Sequence, residues 1–108
     1  MYKLVFFVPT SHVEQVKSAV FAAGAGQQGN YEHCCWQTLG QGQFRPNADA
    51  NPFVGKAGTL ETVDEYRVET LCDSAQLKAV VAALKAAHPY EEPAFDITAL
   101  VDVGNIGD

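Results

Sequence analysis

His33 and Cys35 stand two residues apart in a stretch, residues 31–39, that reads as a β-strand. On a strand, side chains at i and i+2 share a face. An imidazole and a thiolate on one face suit zinc or copper(I). Two ligands do not complete a site, so a third would come from His88, Glu91, Glu92 or a neighbouring subunit. Cys34 or Cys35 beside His33 raises a second chemistry, a thiol activated by an imidazole. Adjacent residues on a strand diverge, which weighs against that pair. The plain alternative is that the three cysteines, Cys34, Cys35 and Cys72, are free thiols used as small hydrophobes. An odd count with two neighbours is not a disulfide framework.

The second concentration of chemistry is His88-Pro89-Tyr90-Glu91-Glu92-Pro93. A proline just past a helix end stops the helix, and the second keeps the link extended. A connection of this kind needs only a few polar residues, yet this one carries a histidine, a tyrosine and two carboxylates. The excess points to a site or a subunit contact. Glu91 and Glu92 would make an acid–base pair only if they converged, and neighbours in an extended link diverge. Ion pairs to Arg45, Arg67 or Lys56 of a neighbouring chain are the simpler use. His88 in the last helical turn would favour the helix dipole and cap free carbonyls.

These residues need elements to hold them. Residues 4–8 are a continuous apolar run, as in a central strand. Ser11 and Glu14 have the spacing of a capping box. Val13, Val16, Val20 and Ala23 form a helical stripe that Gly24 would end. Residues 65–72 alternate, with Tyr66, Val68, Thr70 and Cys72 on one face. Asp73 or Ser74 caps a second helix, whose apolar face is Leu77, Val80, Val81, Leu84 and Ala87. Residues 94–101 form a last strand, and residues 102–108 a fraying tail. Residues 40–62, rich in glycine and holding Phe44, Arg45, Phe53 and Leu60, have no periodicity and read as a long functional loop.

The order strand, helix, strand, strand, helix, strand predicts an α+β, ferredoxin-like βαββαβ fold. Two helices would cover one face of a four-stranded antiparallel sheet. The other face, with Trp36 or Tyr31 on it, would be covered by another copy. At 108 residues the chain is one domain. Its net charge of −6 lacks the basic footprint of a nucleic-acid binder. No apolar run reaches the roughly 20 residues a membrane helix needs. Residues 1–9 read as a strand rather than a signal peptide, so the cytoplasm is the expected compartment.

Four stretches together resemble the inserted domain of the Nif-three-like proteins: Gly29-Asn30-Tyr31-Glu32-His33-Cys34, Gly40-Gln41-Gly42-Gln43-Phe44-Arg45-Pro46, Asn51-Pro52-Phe53 and His88 to Pro93. The last is also similar to the closing motif of the CutA proteins. The resemblance covers nearly the whole chain. The larger Nif-three-like proteins carry this domain between two halves of a metal-binding body. This sequence holds no counterpart of that body's ligands, so its metal site and any hydrolase activity do not transfer.

The resemblance implies a PII-like or CutA-like fold that packs as a homotrimer. It also implies that the loop of residues 40–62 is regulatory and that clefts between subunits take small ligands. The expected cleft lining is Tyr31, Phe44, Arg45, Phe53, His88, Tyr90, Glu91 and Glu92. Phe44 and Phe53 should dock on a neighbouring subunit, with Arg45 meeting Glu91 or Glu92. The leading expectation is a small binding or regulatory module of unknown ligand. A divalent or copper ion-binding protein of CutA type is the alternative, and a thiol-dependent enzyme the third. A zinc or copper ion is the cofactor these readings admit.

Overall fold

The computed structural model describes residues 1–105. Strand β1 (Tyr2–Pro9) leads to helix α1 (Val13–Ala22). Strands β2 (Trp36–Phe44) and β3 (Glu61–Cys72) form a long hairpin. Helix α2 (Ser74–Ala87) and strand β4 (Phe95–Ala99) follow. A single 3-10 turn, Val103–Asn105, lies where the tail was expected to fray, and residues 106–108 of that tail lie outside the described residues. The sheet order is β2-β3-β1-β4, all antiparallel. This is the expected α+β, ferredoxin-like arrangement.

Alternation along the strands decides which face the helices cover. Leu4, Phe6 and Val8 of β1 join Val68 and Cys72 of β3, Val13, Val16 and Val20 of α1, and Val80 and Leu84 of α2 in one core. Burying a side chain the size of Phe6, Leu4 or Leu84 contributes about 1.5–3 kcal/mol. The intervening residues Lys3, Val5 and Phe7 face the other way. There Lys3 bridges Glu69 at 2.8 Å, and the Arg67 guanidinium lies 5.7 Å from the Phe7 ring centre. Trp36 is opposite Glu69 on this uncovered face and is 59% exposed.

Helix α1 ends as its sequence implies. Gly24 takes φ 119°, its N–H bonds the Phe21 carbonyl, and the Ala25 N–H bonds that of Val20. This is a Schellman closure, which only glycine enters without strain. The start of α1 differs from expectation. His12 is the N-cap, with no side-chain cap bond. The Ser11 hydroxyl bonds His12 Nδ1 at 2.7 Å, and Glu14 pairs with Lys17, so the capping box does not close. Asp73 caps α2 in position but likewise without a side-chain bond.

The larger correction is the register of the second strand. Residues 31–35 are not strand. Gln28 and Tyr31 close a tight turn through reciprocal backbone bonds of 2.8 and 2.9 Å, and His33 adopts a left-handed φ of 58°. The strand starts at Trp36 and runs through Gly40 and Gly42 to Phe44, while β3 begins at Glu61. The connecting loop therefore spans residues 45–60 rather than 40–62. Local signals rate glycines as breakers, but β3 supplies a complete ladder opposite them. Gly42 has a positive reason to be there: a Cβ would run into the Glu65 carboxylate.

Candidate functional site

The β2–β3 hairpin projects past the end of β1, because Pro9 pairs with Glu65 and nothing on β1 pairs with residues 61–64. Residues 45–60 and the link after α2 meet at that overhang. A cleft of about 280 Å³ results, with Phe7, Phe44, Phe53 and Tyr90 as aromatic lining and Arg45, Glu65, Glu91 and Glu92 as charged lining.

His88 fixes the link. It is 6% exposed and extended at the C-cap of α2. Its Nδ1 accepts the Tyr90 N–H at 3.1 Å, so that nitrogen carries no proton. Its Nε2 lies 2.6 Å from the Phe7 carbonyl and must therefore donate. The ring is a neutral clamp between α2, β1 and the link. Burial first, offset by the Phe7 bond, holds its pKa below the usual 6.5. Its expected role against the helix dipole needed a charged imidazole, so the structure corrects that reading.

Tyr90 stands in front of the clamp, its ring 4.8 Å from that of His88, 6.2 Å from Phe44 and 6.4 Å from Phe53. Its hydroxyl donates to Glu65 Oε2 at 3.4 Å. Burial, with the Glu65 charge and hydrogen bond behind it, pushes the phenol up to about 12. Burial also raises the Glu65 carboxyl, against the lowering effect of the Tyr90 bond. The loop folds onto this framework within its own chain. The Asn51 N–H donates to Glu91 Oε1 at 3.1 Å, and the Phe53 ring meets the His12 ring edge-on at 5.3 Å. Inside the loop, the Gly58 N–H bonds the Pro46 carbonyl and the Asp49 N–H bonds Asn47 Oδ1.

Six of the residues expected at a cleft, Phe44, Arg45, Phe53, Tyr90, Glu91 and Glu92, line this one. His88 lies behind it. Tyr31 does not join them: it sits in the turn before β2, 75% exposed. Phe44 and Phe53 both approach Tyr90 of their own chain, because the hairpin overhang brings the loop back over that chain. Arg45 has no ion pair to Glu91 or Glu92 among the described residues. Sequence reading missed Phe7, Gly42 and Glu65. Glu65 looked like an ordinary wet-face residue of an alternating strand, and nothing local marks it as the partner of Tyr90.

The metal and thiol expectations lose their geometry. With His33 left-handed and ahead of β2, His33 and Cys35 do not share a strand face. The His33 ring stacks on Phe21 at 5.1 Å, and the Cys34 thiol turns to the Glu32 carbonyl. Among the described residues, no group of three or more His, Cys, Asp or Glu is placed to hold a metal ion.

No family model matches the chain. Curated relatives do. A GTP cyclohydrolase 1 type 2 homolog of Mycobacterium leprae is 52% identical over 106 residues, 97% of this chain and 28% of that protein. One from Halalkalibacterium halodurans is 48% identical over 104 residues, again 28% of its length. A solved Bacillus cereus protein related to NIF3 superposes with TM-score 0.79 at 40% identity, over 94% of this chain and 26% of that one. This chain matches one domain of the Nif-three-like family. It spans about a quarter of the length of those relatives. The periplasmic divalent cation tolerance protein CutA of Archaeoglobus fulgidus shares the fold of this domain, with TM-score 0.65 at 16% identity over 93% of this chain and 84% of that protein.

Proposed function

We propose that this Nif-three-like domain is a small-molecule binding and regulatory module of PII/CutA-like type, acting as a homotrimer in the cytoplasm. The observation that carries the reading is the 280 Å³ cleft, apolar and aromatic on its walls and polar at a few fixed points. That composition is what small-ligand sites have, and the volume sits at their lower end. The ligand enters between residues 45–60 and the link at Tyr90. Because the loop is held by a few polar bonds and half-exposed rings, occupancy changes its position cheaply. A moved loop is a signal that a partner can read.

Assembly is supported by the uncovered sheet face, where Phe7 of β1 pairs with Arg67 of β3 and Trp36 of β2 pairs with Glu69 of β3. The likeness to CutA in fold supports the same arrangement. Free cysteines suit a reducing compartment. No described helix is long and apolar enough to cross a membrane, and an acidic chain has no pull on nucleic acid. Native mass spectrometry of freshly purified protein tests the reading. Three chain masses with a retained small molecule are expected. A monomer at micromolar concentration with nothing retained overturns it.

A further inference from the structure

The cleft's charges are one-sided. Glu65, Glu91 and Glu92 line it against Arg45 alone. Its rings, Phe7, Phe44, Phe53 and Tyr90, present π-faces or edges to the same space. One of them already engages a cation from the protein itself: the Arg67 guanidinium lies over Phe7. Building on the binding reading above, we infer that the cleft takes a flat organic cation, an amidinium, guanidinium or protonated ring amine. The apolar body would lie against Tyr90, Phe44 and Phe53, and the charge would point to Glu65.

Glu65 is the anchor for a physical reason. It is only partly exposed, sits against Gly42 with no side chain in the way, and accepts the Tyr90 hydroxyl. Burial already penalises its charged form. A cation beside it restores what water no longer supplies, and aromatic faces attract the same charge. An anion would face three carboxylates and one guanidinium, Arg45. Glu91 serves the loop as well as the ligand, through its bond to the Asn51 amide. A bound cation at Glu91 would thus be felt directly in the loop backbone.

Three probes of one shape and different charge test this on the full chain: benzamidine, benzamide and benzoate. Binding is followed by NMR shifts of the Asn51, Phe53 and Tyr90 amides during titration at millimolar concentration. The expected result is saturable binding of benzamidine, about tenfold tighter than benzamide, with no benzoate binding. Glu65→Gln should erase the preference while leaving benzamide binding in place. Glu92→Gln, an exposed change that spares the fold, should weaken it in part. Equal binding of benzamidine and benzamide, or tighter binding of benzoate, overturns the cation assignment and leaves the cleft as a site. Failure of all three probes to move these amides overturns the binding reading as well.

Discussion

Replacing His88 tests the framework of the cleft most directly. The ring joins three segments through two hydrogen bonds, donating Nε2–H to the Phe7 carbonyl and accepting the Tyr90 N–H at Nδ1. His88→Ala leaves a carbonyl and an amide unpaired in a site where the ring itself was 6% exposed. Each stranded group costs about 1–3 kcal/mol, so about 2–6 kcal/mol is expected in all. Domains of this kind have about 5–15 kcal/mol in total. His88→Gln can keep the donor toward Phe7, and His88→Asn can keep the acceptor toward Tyr90. Each should therefore recover part of the loss. The pH dependence follows from the same geometry. Protonation would remove the acceptor that the Tyr90 amide uses, and burial disfavours the charge, so the folded pKa lies below the unfolded 6.5. The unfolded state then binds more protons in that window. Stability should be level above about pH 6.5 and fall as pH drops below it toward the folded value. The Gln and Asn variants should lose that slope. Urea unfolding between pH 5 and 8 measures both effects. A His88→Ala protein within about 0.5 kcal/mol of wild type, a change typical of neutral surface sites, would refute the clamp. So would wild-type stability that rises on acidification from pH 7.

Other outcomes can be checked separately. Ultraviolet titration should show one tyrosine ionising near 12, and stability should fall as pH climbs from 10 toward that value, because only the unfolded phenol then loses its proton. Tyr90→Phe should remove the late-titrating step; a late step that survives would assign it elsewhere. Gly42→Ala forces the Glu65 carboxylate aside, so it should lower the Tyr90 ionisation toward 10 with a stability loss of about 1 kcal/mol or less, since a flexible side chain gives way. Phe6→Ala, at the centre of the core, should cost about 3–5 kcal/mol in denaturant unfolding. Glu91→Ala should speed hydrogen exchange at Asn51 with little change in global stability; unchanged exchange would detach residues 45–60 from the link.

Local signals in the chain determined the elements and their order. The apolar run of β1, the stripe Val13-Val16-Val20, the left-handed stop at Gly24 and the alternation from Tyr66 to Cys72 each report a neighbour already implied by period and chirality. That is enough to specify βαββαβ and the core face. The six residues of the cleft were also legible, because aromatics in a glycine-rich stretch and charges between prolines are expensive choices for plain connections. Tertiary structure decided the rest. Whether Gly40 and Gly42 are loop or strand depends on β3 being opposite them, not on glycine's own preference. Whether His33 and Cys35 share a face depends on one left-handed residue that strand-like alternation hides. The approach of Phe53 to Tyr90 follows from the hairpin's overhang beyond Pro9. The pairing of Glu65 with Tyr90 joins residues that are distant in sequence. Their proximity exists only once the sheet register sets where β1 ends, because no short-range interaction couples them.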